Sequence, residues 1–132
     1  MKLYLVNSIR TNNFTDAQMT VKIKKLWEDS SRKIVLGQKN VYGVYYDYES
    51  DYKGNYSLSV AIDENNGNPF IEIPLNERYE IFRVDSADEQ GIVKTWKKIW
   101  DQEASGLLER AYTYDFEKYS TNGEVEIYIA IK

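Results

Sequence analysis

Asp115 and Glu117 stand two residues apart in YTYDFEKY, Tyr112 to Tyr119, where aromatic side chains alternate with polar ones. A carboxylate set among aromatic rings is costly to ionise, so its pKa rises, and a bound cation favours the ionised form again by compensating the charge. A ring stacked on that cation adds about 0.5–2 kcal/mol. The chemistry on offer is capture of flat, lipophilic cations in preference to compact hydrated ones. A near copy, YYDYES from Tyr45 to Ser50, places Asp47 and Glu49 in a similar setting.

The chain contains no histidine and no cysteine in 132 residues. Disulfides, thiolate zinc sites, Ser-His and Cys-His pairs and histidine proton shuttles are excluded, which leaves acid–base work to Asp, Glu, Tyr or Lys. Neither a metal nor a cofactor is called for. Seventeen Lys and Arg against 21 Asp and Glu give a net charge of −4, and the basic residues are scattered apart from pairs such as Lys24-Lys25 and Lys97-Lys98. Phosphate backbones need clustered positive charge, so direct nucleic-acid binding is not expected. MKLYLVNSIR lacks the apolar run and cleavage site of a signal peptide, and no stretch approaches membrane-spanning length. A cytoplasmic protein without membrane contact is the simplest reading.

The length, with 42% hydrophobic residues, suits one domain spanning 1–132. Leu3 to Arg10 reads as a strand. A helix follows, with Thr15 as N-cap, Gln18 reaching back, Phe14 and Met19 as a hydrophobic staple, and a stripe of Met19, Ile23, Leu26 and Trp27 running to about Ser30. Val41 to Glu49 and Tyr56 to Asp63 read as an antiparallel hairpin across Gly54-Asn55, and ENNGNP breaks the pattern. Phe70 to Ile73 is a short extended piece and Arg78 to Val84 a strand. Ser86 and Glu89 have capping-box spacing ahead of a second helix striped by Ile92, Val93, Trp96, Ile99 and Trp100. After a loop or short turn at Glu103 to Glu109, Tyr112 to Tyr119 and Val125 to Ile131 form two closing strands across Thr121-Asn122-Gly123.

The order strand, helix, strand, strand occurs twice, with Tyr46-Asp47-Tyr48-Glu49 aligned on Tyr114-Asp115-Phe116-Glu117 and Ala61-Ile62 on Ala130-Ile131. The expected fold is α+β: two βαββ units of the SHS2-like kind, approximately 1–66 and 67–132, related by a pseudo-twofold axis. Both helices would cover one face of antiparallel sheets and the other face would be a concave ligand groove between the halves. In that arrangement Tyr48, Phe116 and their even-numbered neighbours lie under the helices, and Asp47, Glu49, Asp115 and Glu117 face groove or solvent. Tyr45, Tyr79 and Tyr128 are candidate groove walls, with Ser57, Ser59 and Ala61 as an open floor. Trp27, Trp96 and Trp100 suit helix-to-sheet packing, and Trp96 is the one placed to reach a groove edge.

TNNF, VYGVYYDYESDYKGNYSLSVA, TWKKIW and YDFEKYSTNGEVEIYIAIK, in that order, resemble the GyrI-like effector-binding domain, the small-molecule module of many bacterial regulators. Within it they are similar to the stand-alone branch related to an integron cassette-encoded cationic drug-binding protein. The resemblance implies the duplicated βαββ architecture and a groove for small hydrophobic or cationic ligands. It also implies that Glu117, on the strand matching DFEKY, is the buried acid that multidrug-sensing members ring with aromatics. A DNA reader would be a separate regulator partner. Two other activities follow from the family: ring-opening hydrolysis of electrophilic, cyclopropane-type natural products with Glu117 as general acid or base, and a protein-interaction module acting on a partner such as gyrase.

Overall fold

The computed structural model describes residues 1–34, 39–74 and 76–132. Alternating apolar residues produce β1 (Lys2–Thr11), β2 (Val41–Tyr46), β3 (Tyr56–Ile62), β4 (Phe70–Glu72), β5 (Arg78–Val84), β6 (Asp115–Tyr119) and β7 (Val125–Ile131). Helical stripes produce α1 (Met19–Ser31) and α2 (Gly91–Ala104). The architecture is α+β, and all strand pairs are antiparallel in one sheet ordered β4-β1-β3-β2-β6-β7-β5.

Apart from the edge strand β4, this order reads the same from both ends once β1, β2 and β3 are exchanged for β5, β6 and β7. The two βαββ units therefore meet at the β2–β6 pair, where Gly43 faces Glu117 and Tyr45 faces Asp115. The registers also correct the alignment of the two aromatic-acid strings. β2 ends at Tyr46, so Asp47 to Glu49 lie beyond it, whereas Asp115 to Glu117 open β6. With Ala61 kept on Ala130, Leu58 falls on Ile127, and their cross-strand partners are Tyr45 and Glu117. The residue matching Glu117 is Tyr45, not Glu49.

Both helices begin later than the capping-box spacing suggests. The N-cap positions are Gln18 and Gln90, and neither makes a side-chain cap. Asp16 and Asp88 do that work from two residues upstream. Each accepts the backbone N–H of the glutamine, at 2.9 Å in both cases, and the amine of Lys22 or Lys94 at 2.6 Å. Asp-x-Gln-x-x-x-Lys is thus repeated with the same contacts in both halves. The acid satisfies an orphan donor of the helix start while the lysine compensates its charge.

The core splits by face. Leu26, Ile23 and Trp27 of α1 pack on Val41, Tyr45, Leu58 and Val60, and Ile99 and Trp96 of α2 pack on Phe82, Ile127 and Ile129. Leu3, Tyr42, Val44, Ala61, Ile71 and Phe116 form a separate cluster on the opposite face, joined by Tyr46, Tyr79, Tyr114 and Tyr128 and by no helix residue. This inverts the expected parity. Phe116 and Val44 point away from the helices, and Asp115 and Glu117 point toward them. Tyr48 does lie on the helix side, but because Asp47 takes a left-handed conformation (φ 51°) that ends β2 and resets the alternation. A fully buried aliphatic such as Val44, Leu58 or Ile99 contributes about 1.5–3 kcal/mol, so both faces carry real stabilising weight.

Candidate functional site

On the helix side, between α1 and α2, lies a cleft of about 310 Å³ lined by Ile23 and Met19 from α1, Val93, Trp96 and Trp100 from α2, and Tyr45, Tyr48, Tyr52, Tyr56 and Arg110. Asn13 and Phe14 complete the lining, and Phe14 stands 64% exposed at the entrance. The expected groove between the halves therefore exists, but under the helices rather than on the bare face of the sheet. The volume lies at the lower end of the range for drug-sized ligands, and the walls are mainly aromatic. A second hollow, on the outer side of α2, is bounded by Lys94, Lys97, Lys98 and Asp101, flexible side chains whose charges are solvated.

Glu117 lies directly behind two cleft walls. It is 3% exposed, and three donors converge on it: Trp96 Nε1 reaches Oε2 at 2.7 Å, the Tyr45 hydroxyl reaches Oε2 at 2.9 Å, and the Tyr119 hydroxyl reaches Oε1 at 2.8 Å. Burial pushes the Glu117 carboxyl above its ordinary value, and the hydrogen bonds from Trp96, Tyr119 and Tyr45 pull part of that back. Burial and then the Glu117 charge push the Tyr45 hydroxyl well up, so it remains a protonated donor. The elements make this convergence unavoidable. Trp96 descends from α2, Tyr45 comes across from β2, and Tyr119 follows Glu117 by two residues on the same face of β6.

Gly43 keeps the space open. A β-carbon there would sit 3.0 Å from Trp27 Cζ2 and 3.1 Å from Glu117 Oε1. The Trp27 ring settles in that gap, edge-on to Tyr119 with centroids 5.2 Å apart.

Beside this acid sits a second charged group. Asp115 is fully buried and accepts from Arg110 at 2.7 Å, from the Tyr48 hydroxyl and from the Ala130 N–H. Arg110, itself 4% exposed, stacks on Tyr112 at 4.4 Å and lies 5.9 Å from the Tyr48 and Trp96 rings. Burial opposes its charge, but Asp115 together with the Tyr48 and Tyr112 hydroxyls more than offsets this and holds the guanidinium protonated. Tyr112 also has a left-handed backbone (φ 56°) and donates to Glu103. Together Asp47 and Tyr112 turn the chain so that the Tyr48 and Tyr112 rings meet edge-on, 5.3 Å apart.

Of the six residues expected at the site, the structure brings Glu117, Tyr45, Trp96 and Asp115 to one side of the sheet. Tyr79 and Tyr128 lie on the other side, packed around Phe116 with centroids at 5.5 and 4.5 Å. Sequence reasoning missed Tyr119, Tyr48, Tyr56, Trp100 and Arg110. Tyr119 had a signal, since it shares the parity of Glu117. Arg110 had none, because it lies outside any regular element.

Among the described residues no cluster of acids suits a metal ion, and no helix is long and apolar enough to cross a membrane. A sequence model of the Cass2 family, described as integron-associated effector binding protein, matches residues 6–131. The fold is similar to a solved structure from the mobile metagenome of Vibrio cholerae, the integron cassette protein VCH_CASS2. The TM-score is 0.80 and the identity 28%, covering 100% of this chain and 90% of that one. No curated protein matches the chain.

Proposed function

Because the chain belongs to the Cass2 family of integron-associated effector binding proteins, and is therefore a small-molecule-binding protein, we propose that its effector is a lipophilic aromatic cation held in the α1–α2 cleft with Glu117 as counter-charge. The observation that carries this reading is the pair of walls, Tyr45 and Trp96, that both donate to the buried Glu117. A ring that donates to a carboxylate becomes more electron-rich, so its face attracts a cation more strongly. Each such face adds about 0.5–2 kcal/mol. A cation about 6 Å from the carboxylate gains a further 3 kcal/mol or so at an effective dielectric of about 20.

The charge around the cleft supports the same sign. One cation, Arg110, is set against three acids, Asp115, Glu117 and Glu103. Both oxygens of Glu117 are engaged by donors, which favours binding over proton transfer. The acidic balance of the whole chain, 21 acids against 17 bases, suits a protein whose regulatory output, if transcriptional, passes through a separate DNA-binding partner.

Calorimetric titration with tetraphenylphosphonium and rhodamine tests this. We expect binding to the native chain and a loss of 10- to 100-fold in Glu117→Gln. No heat from a broad panel of aromatic cations, or unchanged affinity in Glu117→Gln, would overturn the proposal, as would steady turnover of a cyclopropane or epoxide substrate that the variant abolishes.

A further inference from the structure

Arg110 is not explained by a cleft for cations. It lines that cleft, yet a positive charge opposes the ligand class proposed above, and it lies outside the regular elements, in the segment entering β6. A buried ion pair is a weak source of stability compared with apolar packing of the same volume, so stability alone is a poor reason to keep it.

The guanidinium is used unevenly. Nη2 donates to Asp115 at 2.7 Å, and Nη1 reaches Glu103 at only 3.4 Å. Nε is buried and has no acceptor among the described residues. Buried donors are nearly always satisfied, so an orphan on a charged, 4% exposed group is an offer of a hydrogen bond that the protein does not take up. The rings of Trp96 and Tyr48 stand 5.9 Å from the guanidinium, and both are cleft walls. Arg110 is itself part of the cleft lining, so a ligand in the cleft lies beside the guanidinium while Trp96 and Tyr45 keep their bonds to Glu117.

We propose that Arg110 forms a second polar subsite in the cleft, one that takes a hydrogen-bond acceptor oxygen of the ligand. The effector class is then bipolar: a flat aromatic cation that also carries a carbonyl, ester or carboxylate oxygen. This rests on the cation reading and narrows it. Asp115 and Glu103 neutralise most of the Arg110 charge, so the subsite selects an acceptor by a directed N–H without repelling the cationic end. The planar fork and fixed stack on Tyr112, 4.4 Å away, orient that donor in a way a lysine amine would not.

The test compares tetramethylrosamine with tetramethylrhodamine methyl ester, two dyes that share a cationic xanthylium core and differ by one ester group. Native protein is expected to bind the ester about tenfold more tightly, the size of one charge-assisted hydrogen bond. In Arg110→Lys the ratio of the two affinities falls toward one, whatever loss both dyes share. The infrared carbonyl band of the bound ester should also shift to lower frequency in native protein, a readout that needs no variant. Equal affinities in native protein, a ratio preserved in folded Arg110→Lys, or a carbonyl band at its aprotic-solvent position would each overturn the subsite and leave the cation reading standing. Binding of neither dye, together with no heat from the broad panel of aromatic cations, would overturn both.

Discussion

Tyr45 and Glu117 occupy matching positions in the two halves of the fold, and their side chains meet, with the Tyr45 hydroxyl donating to Glu117 Oε2 at 2.9 Å. One structural position, copied and set diagonally across the β2–β6 pair, has become a donor in one half and an acceptor in the other. Removing that donor leaves a buried carboxylate with two hydrogen bonds instead of three. Tyr45→Phe should therefore destabilise the protein at pH 7 by about 1.5–3 kcal/mol in urea unfolding. The cost should shrink at acid pH, where Glu117 is neutral. An equal cost at both pH values would show that the lost contact is packing rather than charge-assisted bonding.

The raised Glu117 carboxyl fixes the sign of two pH effects. The folded state holds the proton more tightly than the unfolded chain, whose value is near 4.5. The stability gained from that proton is fully present below this value and is lost as pH rises through the folded pKa. Glu117→Gln should thus melt at or above the native temperature at pH 7, with the difference closing on acidification. Gln can still accept from Trp96 and Tyr45 and donate to the Tyr119 oxygen. Cation binding runs the other way: it favours the ionised acid, so affinity for tetraphenylphosphonium should rise with pH through the same window and be flat in Glu117→Gln. Isothermal titration in buffers of different ionisation heat should show proton release on binding to the native chain only.

Tyr79 and Tyr128 provide a negative prediction. Alternation alone made them cleft walls, but they sit across the sheet from Glu117. The Tyr79 hydroxyl is buried without a partner among the described residues, and burial foremost raises its pKa. Tyr79→Phe should be neutral or slightly stabilising by thermal melting, because it deletes an unsatisfied group. Dye affinity should stay within twofold. A tenfold loss would mean that the far face takes part in binding.

Period-two alternation makes the strands legible and says which residues share a face, which is why β5 and β7 fall where Arg78 to Val84 and Val125 to Ile131 predict. It does not say which face the helices choose. That choice is made by tertiary packing, and it turns Phe116 into the cluster on the helix-free face and Glu117 toward the helices. The left-handed residues Asp47 and Tyr112 were also hidden, since neither is glycine, so the strands were read as running past both. The helix starts are hard to place because Thr15 and Ser86 resemble caps, while the working acids, Asp16 and Asp88, accept the backbone N–H of Gln18 and Gln90 and are held by Lys22 and Lys94. The repeated Asp-x-Gln-x-x-x-Lys spacing was readable and would have given the better alignment of the halves. Arg110 was beyond reach, because a lone arginine in a loop has no pattern.

One residue did carry the missing information. Gly43 interrupts an otherwise bulky β2, and glycine inside a strand marks a close approach by something else. It faces Glu117 across the ladder, and the Trp27 ring from α1 fills the space its side chain would take. The helix-covered face is therefore the one with the gap. Gly43→Ala forces a β-carbon against both Trp27 and the Glu117 carboxylate, and Trp27 is backed by Tyr119. We expect a loss of about 1–3 kcal/mol in urea unfolding and a several-fold weaker dye complex as Glu117 shifts from its donors. Because the strain is with the Trp27 ring tip, the double variant with Trp27→Phe should recover much of the Gly43→Ala cost, giving a favourable coupling energy in a double-mutant cycle. A cost under about 0.5 kcal/mol for Gly43→Ala, or strict additivity with Trp27→Phe, would show that the tryptophan does not fill the space beside Gly43 and Glu117 as tightly as the geometry implies.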